Sequence, residues 1–556
     1  MPAIVKNKFR LRNARDFIEN FSSSEHSTSR NHYLFIGKPT VWGAGAVNEE
    51  LSPPLPADTY EEENRIWDEM LGLKKIDEQS VSLVIPRSDW DVNGQTVYAI
   101  YDDKDTNLYS QPTPTRSNEL APNIAGNFYV MTDTFDIFVC LENGLNSVST
   151  EKPVRQNPAT SLIDYSAIDG YVWKYIGSVT ASDATRFATD AWIPVQVLES
   201  DDGSFQWDVQ QAAVGGEVVS VVIDSVGSGY TNTYSGGFVA GTLDNSTGVG
   251  VAQLSGSPSA TNDYYAGGQI HIISGPDAGS IYTIDSYNGT TGTVTLMEEF
   301  VEDTGVIVAD QTSVIQILPQ LNITTNGTAV NLRPVLDNGE FSRVLLIDAG
   351  QDATYIKIDV VNSLGGTGAI IRAVLSDVDG LGADIEKDLG ATYVMLNSKL
   401  EYDEGQGDFP QNNDYRQLGI IRDAKNPDGS LATATTLIAT KKLNLTNVSG
   451  DALTYDEIVE VTSAVRGVAL QYIESTVTPG TGVLTYIQNP STGYGTFTAG
   501  ATITGTNSQN PFTATINTIE DEEIKKLDGV ILYIENRRAV LRSEDQIEDI
   551  KAIIQF

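Results

Sequence analysis

The stretch SLVIPRSDW, residues 82–90, marks the point where the sequence changes from helical to β patterns. Residues 82–85 are rich in aliphatic and β-branched side chains, which is typical of a strand. The run ends at Pro86, after which Arg87 and Asp89 stand two apart beside Trp90. This spacing predicts a turn locked by charge-assisted hydrogen bonds and ring stacking. The alternative is a corner that binds a partner protein.

After this stretch the sequence is mostly β. Short aliphatic, β-branched and aromatic runs bounded by turn formers predict strands at 97–101, 136–141, 171–176 and 218–223. Residues 530–556 predict two or three strands around a turn at 535–538. Thr454 and Glu457 stand at capping-box spacing and predict a helix over 451–466.

Before the stretch, two segments have helical patterns. Apolar residues from Leu11 to Phe21 recur at helical spacing, and residues 60–71 follow the possible cap Thr59. Residues 33–36 predict a short strand between them. The fold class predicted is mainly β with a few helices (α+β), in several domains that include β-sandwich-like or barrel-like modules.

The charge of the chain excludes two classes of partner. It has 74 Asp and Glu against 35 Lys and Arg, a formal net charge of −39. Such a field repels phosphates and anionic lipids, so we expect no nucleic-acid partner and no membrane partner. The only cysteine, Cys140, allows no intrachain disulfide, and residues 1–20 lack the apolar core of a signal peptide. We therefore expect folding in a reducing cytoplasm.

The sequence lacks the motifs of common catalytic sites. The three histidines, His26, His32 and His271, do not stand at metal-ligand spacing. Cys140 follows an apolar run and is predicted to be a small core residue. The glycine-rich turns lack a phosphate-binding lysine motif, and carboxylates are too common here to indicate a glycosidase. We expect no enzyme, no cofactor and no metal centre.

One acidic loop leaves two interpretations open. Its sequence, SDVDGLGADIE, contains Asp377, Asp379, Asp384 and Glu386, whose oxygens could ligate calcium. Their spacing does not match an EF-hand, in which glycine holds the sixth position and glutamate the twelfth. An ordinary solvated turn is the favoured interpretation.

Several motifs together resemble a known family. These are KNKFR at 6–10, LFIGKPTVW at 34–42, PPLPAD at 53–58, IWDEMLGLKK at 66–75, SLVIPRSDW at 82–90, DGYVWKY at 169–175, YRQLGII at 415–421 and GVILYIENRRAV at 529–540. In order and spacing they resemble the baseplate wedge subunit known as gene product eight in T-even-type contractile-tailed phages. The resemblance covers roughly residues 1–207, part of 390–425, and 527–556.

The remaining residues look like β-rich insertions into the shared frame. The predicted domains are an N-terminal α+β part (1–80), a β-rich core part (81–210), a Gly/Ser/Thr-rich inserted β module (211–330), a β-rich segment that returns to the core (331–430), a second insertion with a small β module (431–526), and C-terminal core strands (527–556). The role of the two insertions does not follow from the resemblance.

The resemblance implies a structural protein of the virion without enzymatic activity. Such a protein would be a homodimer that joins neighbouring baseplate wedge proteins during assembly in the host cytoplasm. Its domains would move as rigid bodies when the tail contracts. Exposed tryptophans and arginines in the matched motifs are the candidate partner contacts, because both residue types are enriched at interface hot spots. They are Trp42, Arg87, Trp90, Arg416, Arg537 and Arg538, and core packing is the alternative for each tryptophan.

A second function stays open from sequence. The β insertions contain many Tyr and Asp residues, and aromatic rings with carboxylates suit sugars. The alternative is therefore a tail-associated protein that binds a glycan or a receptor through residues 211–330 and 431–526.

Overall fold

The computed structural model describes residues 5–21, 31–42, 52–91, 93–94, 96–102, 128–155, 165–300, 309–361, 364–400, 409–410, 412–452, 454–506, 510–543 and 547–556. The chain forms two compact units. Unit 1 combines Met1–Val84 with Thr392–Phe556, and unit 2 is Ile85–Ala391.

The helices are few and short. Within the described residues they are α1 Asn7–Glu19, α2 Tyr60–Glu69, α3 Ala181–Phe187, α4 Phe205–Ala212 and α5 Ile385–Asp388, with a 3-10 helix at Glu78–Ser80. Both helices predicted before residue 80 are confirmed. The Thr59 hydroxyl accepts a hydrogen bond from the Glu62 amide at 3.2 Å, as expected for a cap. Helix α2 ends at Glu69, because Met70 already has extended backbone angles.

The strands before residue 380 are numbered along the chain. They are β1 His32–Gly37, β2 Met70–Ile76, β3 Val81–Pro86, β4 Tyr129–Met131, β5 Asp136–Asn143, β6 Tyr165–Ser166, β7 Tyr171–Ser178, β8 Trp192–Pro194, β9 Val218–Ser228, β10 Tyr234–Gly237, β11 Val251–Gln253, β12 Gly268–Ser274, β13 Ile281–Asn288, β14 Thr293–Leu296, β15 Val314–Pro319, β16 Leu321–Thr325, β17 Asn331–Asp337, β18 Glu340–Asp348, β19 Ile356–Val360 and β20 Thr367–Leu375.

The numbering continues into the C-terminal part of unit 1. These strands are β21 Tyr393–Leu400, β22 Asn413–Arg422, β23 Thr436–Ile438, β24 Lys441–Ser449, β25 Glu457–Glu460, β26 Arg466–Glu474, β27 Gly482–Ile487, β28 Thr502–Gly505, β29 Thr513–Glu520, β30 Val530–Arg542 and β31 Glu548–Gln555.

Unit 1 contains a five-stranded antiparallel sheet in the order β23-β2-β1-β22-β30. Every residue of β1 is buried, which explains the apolar run from Tyr33 to Ile36. Ile66 and Trp67 of α2 share a buried cluster with Tyr33 and Phe35 of β1. In a second sheet β21 pairs with both β31 and β3. Strands from both ends of the chain therefore build this unit.

Residues 441–520 of unit 1 form a closed antiparallel barrel in the order β24-β27-β26-β25-β28-β29. Its interior is apolar and includes Leu443, Ile458, Leu484 and Ile503. The barrel lies within residues 431–526, the segment predicted to be the second insertion. Closure pairs the outer strands with each other and leaves no long open edge.

The helix predicted over 451–466 is wrong. Glu457–Glu460 is strand β25, which pairs with β26 and β28. Tyr455 and Ala464 have φ of 70° and 58°, which a right-handed helix does not allow. The capping-box spacing was outweighed by the β-branched run after Glu457, whose Ile458 enters the barrel core.

The predicted turn at 535–538 is also wrong, because β30 runs without interruption from Val530 to Arg542. Two strands, β30 and β31, form the C-terminal region. Tyr415 pairs with Val540 and Gln417 with Asn536, so residues 537–539 of β30 bulge opposite the single residue Arg416. The polar sequence ENRR thus marks a bulge rather than a turn.

Unit 2 contains several antiparallel sheets. They are β4-β5-β7-β6, the six-stranded sheet β10-β15-β12-β13-β14-β11, and the strand pairs β16-β19, β17-β18 and β9-β20. The strands predicted at 136–141, 171–176 and 218–223 are confirmed. The strand predicted at 97–101 is wrong: these residues belong to no strand, although the Tyr101 amide donates to the Cys140 carbonyl at 2.8 Å.

The predicted fold class is confirmed. Strands make up 45% of the structure and helices 10%. The strands form several sheets and a barrel. The domain boundaries predicted from the sequence remain predictions. None of the helices in the described ranges has the length and apolar character needed to cross a membrane.

Candidate partner-binding surfaces

Trp42 lies at the centre of a compact group in unit 1, which we call the Trp42 cluster: Trp42, Lys38, Arg65 and Glu69. The Arg65 guanidinium carbon lies 4.7 Å from the Trp42 ring centroid, and the Lys38 Nζ lies 5.4 Å from it. Both are cation–π distances. Only 8% of Trp42 is exposed, so most of its ring is used inside the unit.

A buried ion pair forms the base of the Trp42 cluster. The Lys38 Nζ lies 3.0 Å from Glu69 Oε2, and both side chains are buried. The Thr40 hydroxyl accepts from Lys38 at 2.6 Å and donates to Glu69 at 3.1 Å. Burial lowers the pKa of Lys38, and the Glu69 carboxylate offsets part of this effect. Lys38 also has φ of 60°, so the pair holds an unusual backbone turn in place.

Arg416 is tied to the same turn. It is 4% exposed, and its Nη1 donates to the Pro39 carbonyl at 2.6 Å while its Nη2 donates to Asp414 Oδ2 at 2.8 Å. Two of the predicted partner contacts, Trp42 and Arg416, therefore lie on either side of one turn. Both are mostly enclosed in unit 1.

Arg537 and Arg538 lie on the bulge of β30. Arg538 is exposed, and the Arg537 side chain is 38% exposed with its Nε 3.8 Å from Glu535 Oε1. Arg537 lines an open cleft of about 360 Å³ together with Tyr415, Val540 and Lys551. A bulge at an edge strand re-aims side chains and interrupts further pairing. These two arginines are therefore the most accessible of the predicted contacts in unit 1.

In unit 2, the IPRSDW turn has the hydrogen-bonded part of the predicted lock. Arg87 Nε donates to both carboxylate oxygens of Asp89, at 3.0 and 2.9 Å, and Nη1 donates to the Thr189 carbonyl at 3.2 Å. Trp90 packs against a buried aromatic cluster, and its Nε1 donates to Ser149 at 3.3 Å. Arg87 and Trp90 therefore have separate partners, all of them inside unit 2.

Unit 2 contains an aromatic cavity that was not predicted from the sequence. It has a volume of about 290 Å³ and is lined by Phe138, Trp173, Tyr175 and Phe205, among others. The Arg155 guanidinium lies 5.6 Å from the Tyr175 ring and pairs with Asp136 at 3.1 Å. The signal was the alternation in GYVWKY, which places Trp173 and Tyr175 on one face of β7.

The acidic loop is occupied by a cation from the chain itself. Lys387 Nζ lies 2.8 Å from Asp377 Oδ2 and 2.7 Å from Asp379 Oδ2. Asp384 caps α5 by accepting from the Lys387 amide at 3.0 Å. Glu386 accepts from the Val197 amide at 3.1 Å. These contacts favour the interpretation as a hydrogen-bonded turn.

The described residues contain no group of three or more His, Cys, Asp or Glu side chains placed to hold a metal ion. Cys140 is a buried core residue, as predicted. Burial raises its pKa well above the usual range, so it stays a thiol. His271 is also buried, and burial lowers its pKa to about 4. His26 lies outside the described residues.

The first part of the chain is similar to a known protein family. Residues 3–124 match the family Phage-Gp8, described as Bacteriophage T4, Gp8. The resemblance predicted from the sequence motifs is thereby confirmed over these residues, which include Trp42, Arg87 and Trp90. A search of curated proteins gave no match. The resemblance predicted beyond residue 124 remains a prediction.

Proposed function

We propose, from the match of residues 3–124 to the Gp8 family of phage T4, that this protein is a structural component of a phage tail baseplate wedge. A baseplate family implies a virion protein located in the tail. We infer further that the chain forms a homodimer, binds neighbouring wedge proteins during assembly in the host cytoplasm, and has no enzymatic activity. The family match is the observation that carries this proposal.

The contacts of the matched motifs support a structural role. The Lys38–Glu69 pair and the Arg87–Asp89 pair both use charged groups to hold turns inside their own units. Catalytic sites instead need reactive groups that converge on an accessible pocket. Rigid frames with large complementary surfaces suit a symmetric assembly.

Motion on tail contraction would involve the units as rigid bodies. Unit 1 has its own buried clusters, one between α2 and the five-stranded sheet and one in the barrel. The described residues of unit 2 also form buried clusters of their own. Packed cores resist continuous deformation, so changes between baseplate states are expected between units rather than within them.

The proposal is tested by counting copies in purified particles with quantitative mass spectrometry, against a known baseplate protein. A constant copy number that is a multiple of six would support a six-fold wedge component. Twice the number of wedges would support a dimer in each wedge. Variable trace amounts or absence would reject the wedge role.

No contact in the described residues specifically favours the glycan-binding alternative. Tyr265, Tyr282 and Tyr287 of the first insertion are buried in its core and offer no open platform for a sugar ring. A glycan array probed with the full chain tests this alternative. Clear saccharide binding would revive it.

A further inference from the structure

Helix α1 departs from the rules that the other helices follow. The side chains of Thr59, Thr180, Ser204 and Asp384 cap α2, α3, α4 and α5. Lys6 stands at the cap position of α1 and makes no such bond, and the first turn of α1 contains no acidic residue. Cations near a helix N-terminus oppose the helix dipole, at about 0.3–1 kcal/mol each. Departures of this kind are expected at functional sites.

The same helix is the most basic segment of a very acidic chain. Residues 5–15 carry Lys6, Lys8, Arg10, Arg12 and Arg15 with no acidic residue, although the whole chain has a net charge of −39. Two copies of such a chain repel each other wherever acidic surfaces meet. Charges interact mainly within a Debye length, about 8 Å at physiological salt. A contact through this basic segment is therefore the electrostatically favoured one.

One face of α1 combines these cations with exposed apolar side chains. Phe9 is 59% exposed and Val5 is 51% exposed, while Leu11 and Ala14 on the opposite side are buried. Lys8 and Arg12 are exposed and stand four residues apart, and Phe9 stands three residues before Arg12, so Arg12 neighbours both side chains. Arg12 also lies 3.9 Å from Asp16 in an exposed pair within the helix. Aromatic side chains and arginine are enriched at protein–protein interfaces, so this face of α1 has the composition of a contact surface.

Unit 1 also contains a groove with the complementary chemistry. It has a volume of about 270 Å³ and lies between the start of α2 and strand β30. Val530, Ile531 and Ile534 supply apolar lining, while Asp58 and Glu63 supply carboxylates. An apolar cavity of about 150 Å³ already accommodates benzene, so a phenyl ring fits. The groove therefore suits an aromatic side chain flanked by cations.

We propose that α1 of one copy of this protein docks in the groove of a second copy, with Phe9 in the apolar part and Lys8 and Arg12 facing Asp58 and Glu63. The exchange is reciprocal, so the two copies form a closed isologous pair. Both elements lie in the family-matched residues, apart from the β30 wall of the groove. This inference rests on the homodimer of the proposed function and assigns its interface.

The test is sedimentation equilibrium of the full chain and three charge variants. Lys8→Glu/Arg12→Glu and Asp58→Lys/Glu63→Lys should each weaken the dimer at least about tenfold, since like charges then face each other at both contacts. An equimolar mixture of the two should restore a heterodimer, because each contact again joins opposite charges. Lys357→Glu/Lys399→Glu reverses the same number of exposed cations elsewhere and should dimerise like the wild type.

Two further measurements keep misfolding apart from a lost interface. Lys8→Glu/Arg12→Glu should change the stability of the folded monomer by less than about 1 kcal/mol, because an acidic residue at position 8 suits the helix N-terminus and the Arg12–Asp16 pair that is lost is exposed. Phe9→Ala should also weaken the dimer without changing the charge. A monomeric wild type, variants that dimerise normally, or a mixture that stays monomeric would overturn the interface. If particle counting gives two copies per wedge while the variants dimerise normally, only this inference fails and the wedge role stands.

Discussion

The Trp42 cluster and the barrel of residues 441–520 are stabilised in different ways within the same unit. The Trp42 cluster buries charged groups, with Lys38 and Glu69 3.0 Å apart beneath an indole ring. The barrel interior is filled by aliphatic and aromatic side chains such as Leu484 and Phe512. Apolar packing tolerates substitution by similar side chains, whereas a buried ion pair requires both partners. The matched frame should therefore be the less tolerant of the two.

The largest expected effect comes from breaking the buried ion pair. Glu69→Leu leaves the Lys38 ammonium without its carboxylate and should destabilise the frame by about 3–5 kcal/mol. The double variant Lys38→Met/Glu69→Leu removes both charges and should recover most of this loss. Hydrogen exchange measured by mass spectrometry over residues 32–76 would report the change locally.

A matched substitution in the barrel controls for this prediction. Glu457 pairs with Arg466 at 3.0 Å, but this pair is largely exposed. Glu457→Leu should therefore cost less than about 1 kcal/mol. Equal losses from Glu69→Leu and Glu457→Leu would contradict the distinction between the two regions.

The next effect tests the apolar core of the barrel. Leu484 is fully buried, and Leu484→Ala should destabilise the barrel by about 2–5 kcal/mol through lost burial and a residual cavity. Hydrogen exchange should increase in β24 and β26, which flank β27. Val477→Ala, at an 87% exposed site, should change stability by less than about 0.5 kcal/mol. Protection over residues 32–76 should remain unchanged in both variants, and its loss would show that the regions unfold together.

A smaller effect is expected at the cap of α2, the helix that carries Arg65 and Glu69. Thr59→Ala removes the acceptor for the Glu62 amide and should cost about 1 kcal/mol, felt in the Trp42 cluster. Thr180→Ala removes the corresponding cap of α3 in unit 2. It should leave exchange over residues 60–69 unchanged. A response there to both substitutions would mean that the loss is not local.

These two regions also show how far the sequence alone could lead. In the family-matched part of unit 1, helical spacing and apolar runs predicted α1 and β1 correctly, and the Thr59 cap together with helical spacing predicted α2. In the barrel, Thr454 and Glu457 gave a local helix signal that tertiary pairing overrode. Tertiary pairing also decided the structure at β30. The polar sequence at 535–538 predicted a turn, but these residues continue the strand and form a bulge opposite Arg416.

The candidate contacts were harder to predict than the elements. The residue types tryptophan and arginine occur both in protein cores and at interfaces, so residue type alone does not tell the two apart. Only the structure shows that Arg416 donates a hydrogen bond to the Pro39 carbonyl inside unit 1. The exposed face of α1 could not be recognised as a candidate contact either. Helical periodicity predicts which residues of the helix are buried, but it does not show which other parts of the protein lie near the exposed residues. The groove needs β30 and α2, which lie more than four hundred residues apart in sequence.

The smallest effect concerns a direct link between the two regions. The Tyr494 hydroxyl, in the barrel segment, donates to Asp68 Oδ2 of α2 at 2.6 Å. Tyr494 is 61% exposed and Asp68 is half-buried, so Tyr494→Phe should cost only about 0.5 kcal/mol at neutral pH. Burial and the Asp68 carboxylate raise the pKa of Tyr494 from 10.0 to about 12. The folded protein therefore holds this proton more tightly than the unfolded chain does.

The contribution of this link should depend on pH in one direction. Between pH 10 and about 12 the folded state binds more protons at Tyr494, so its stabilising effect is complete below this window and is lost as pH rises through it. Urea unfolding of the wild type and Tyr494→Phe, from neutral to alkaline pH, should show a constant difference that then disappears. Asp68→Asn keeps a hydrogen-bond acceptor but removes the negative charge. It should therefore lower the pKa of Tyr494 in the folded state, so that the stabilising effect is lost at a lower pH than in the wild type. A difference that persists unchanged at the alkaline end would show that the barrel and α2 are coupled through other contacts.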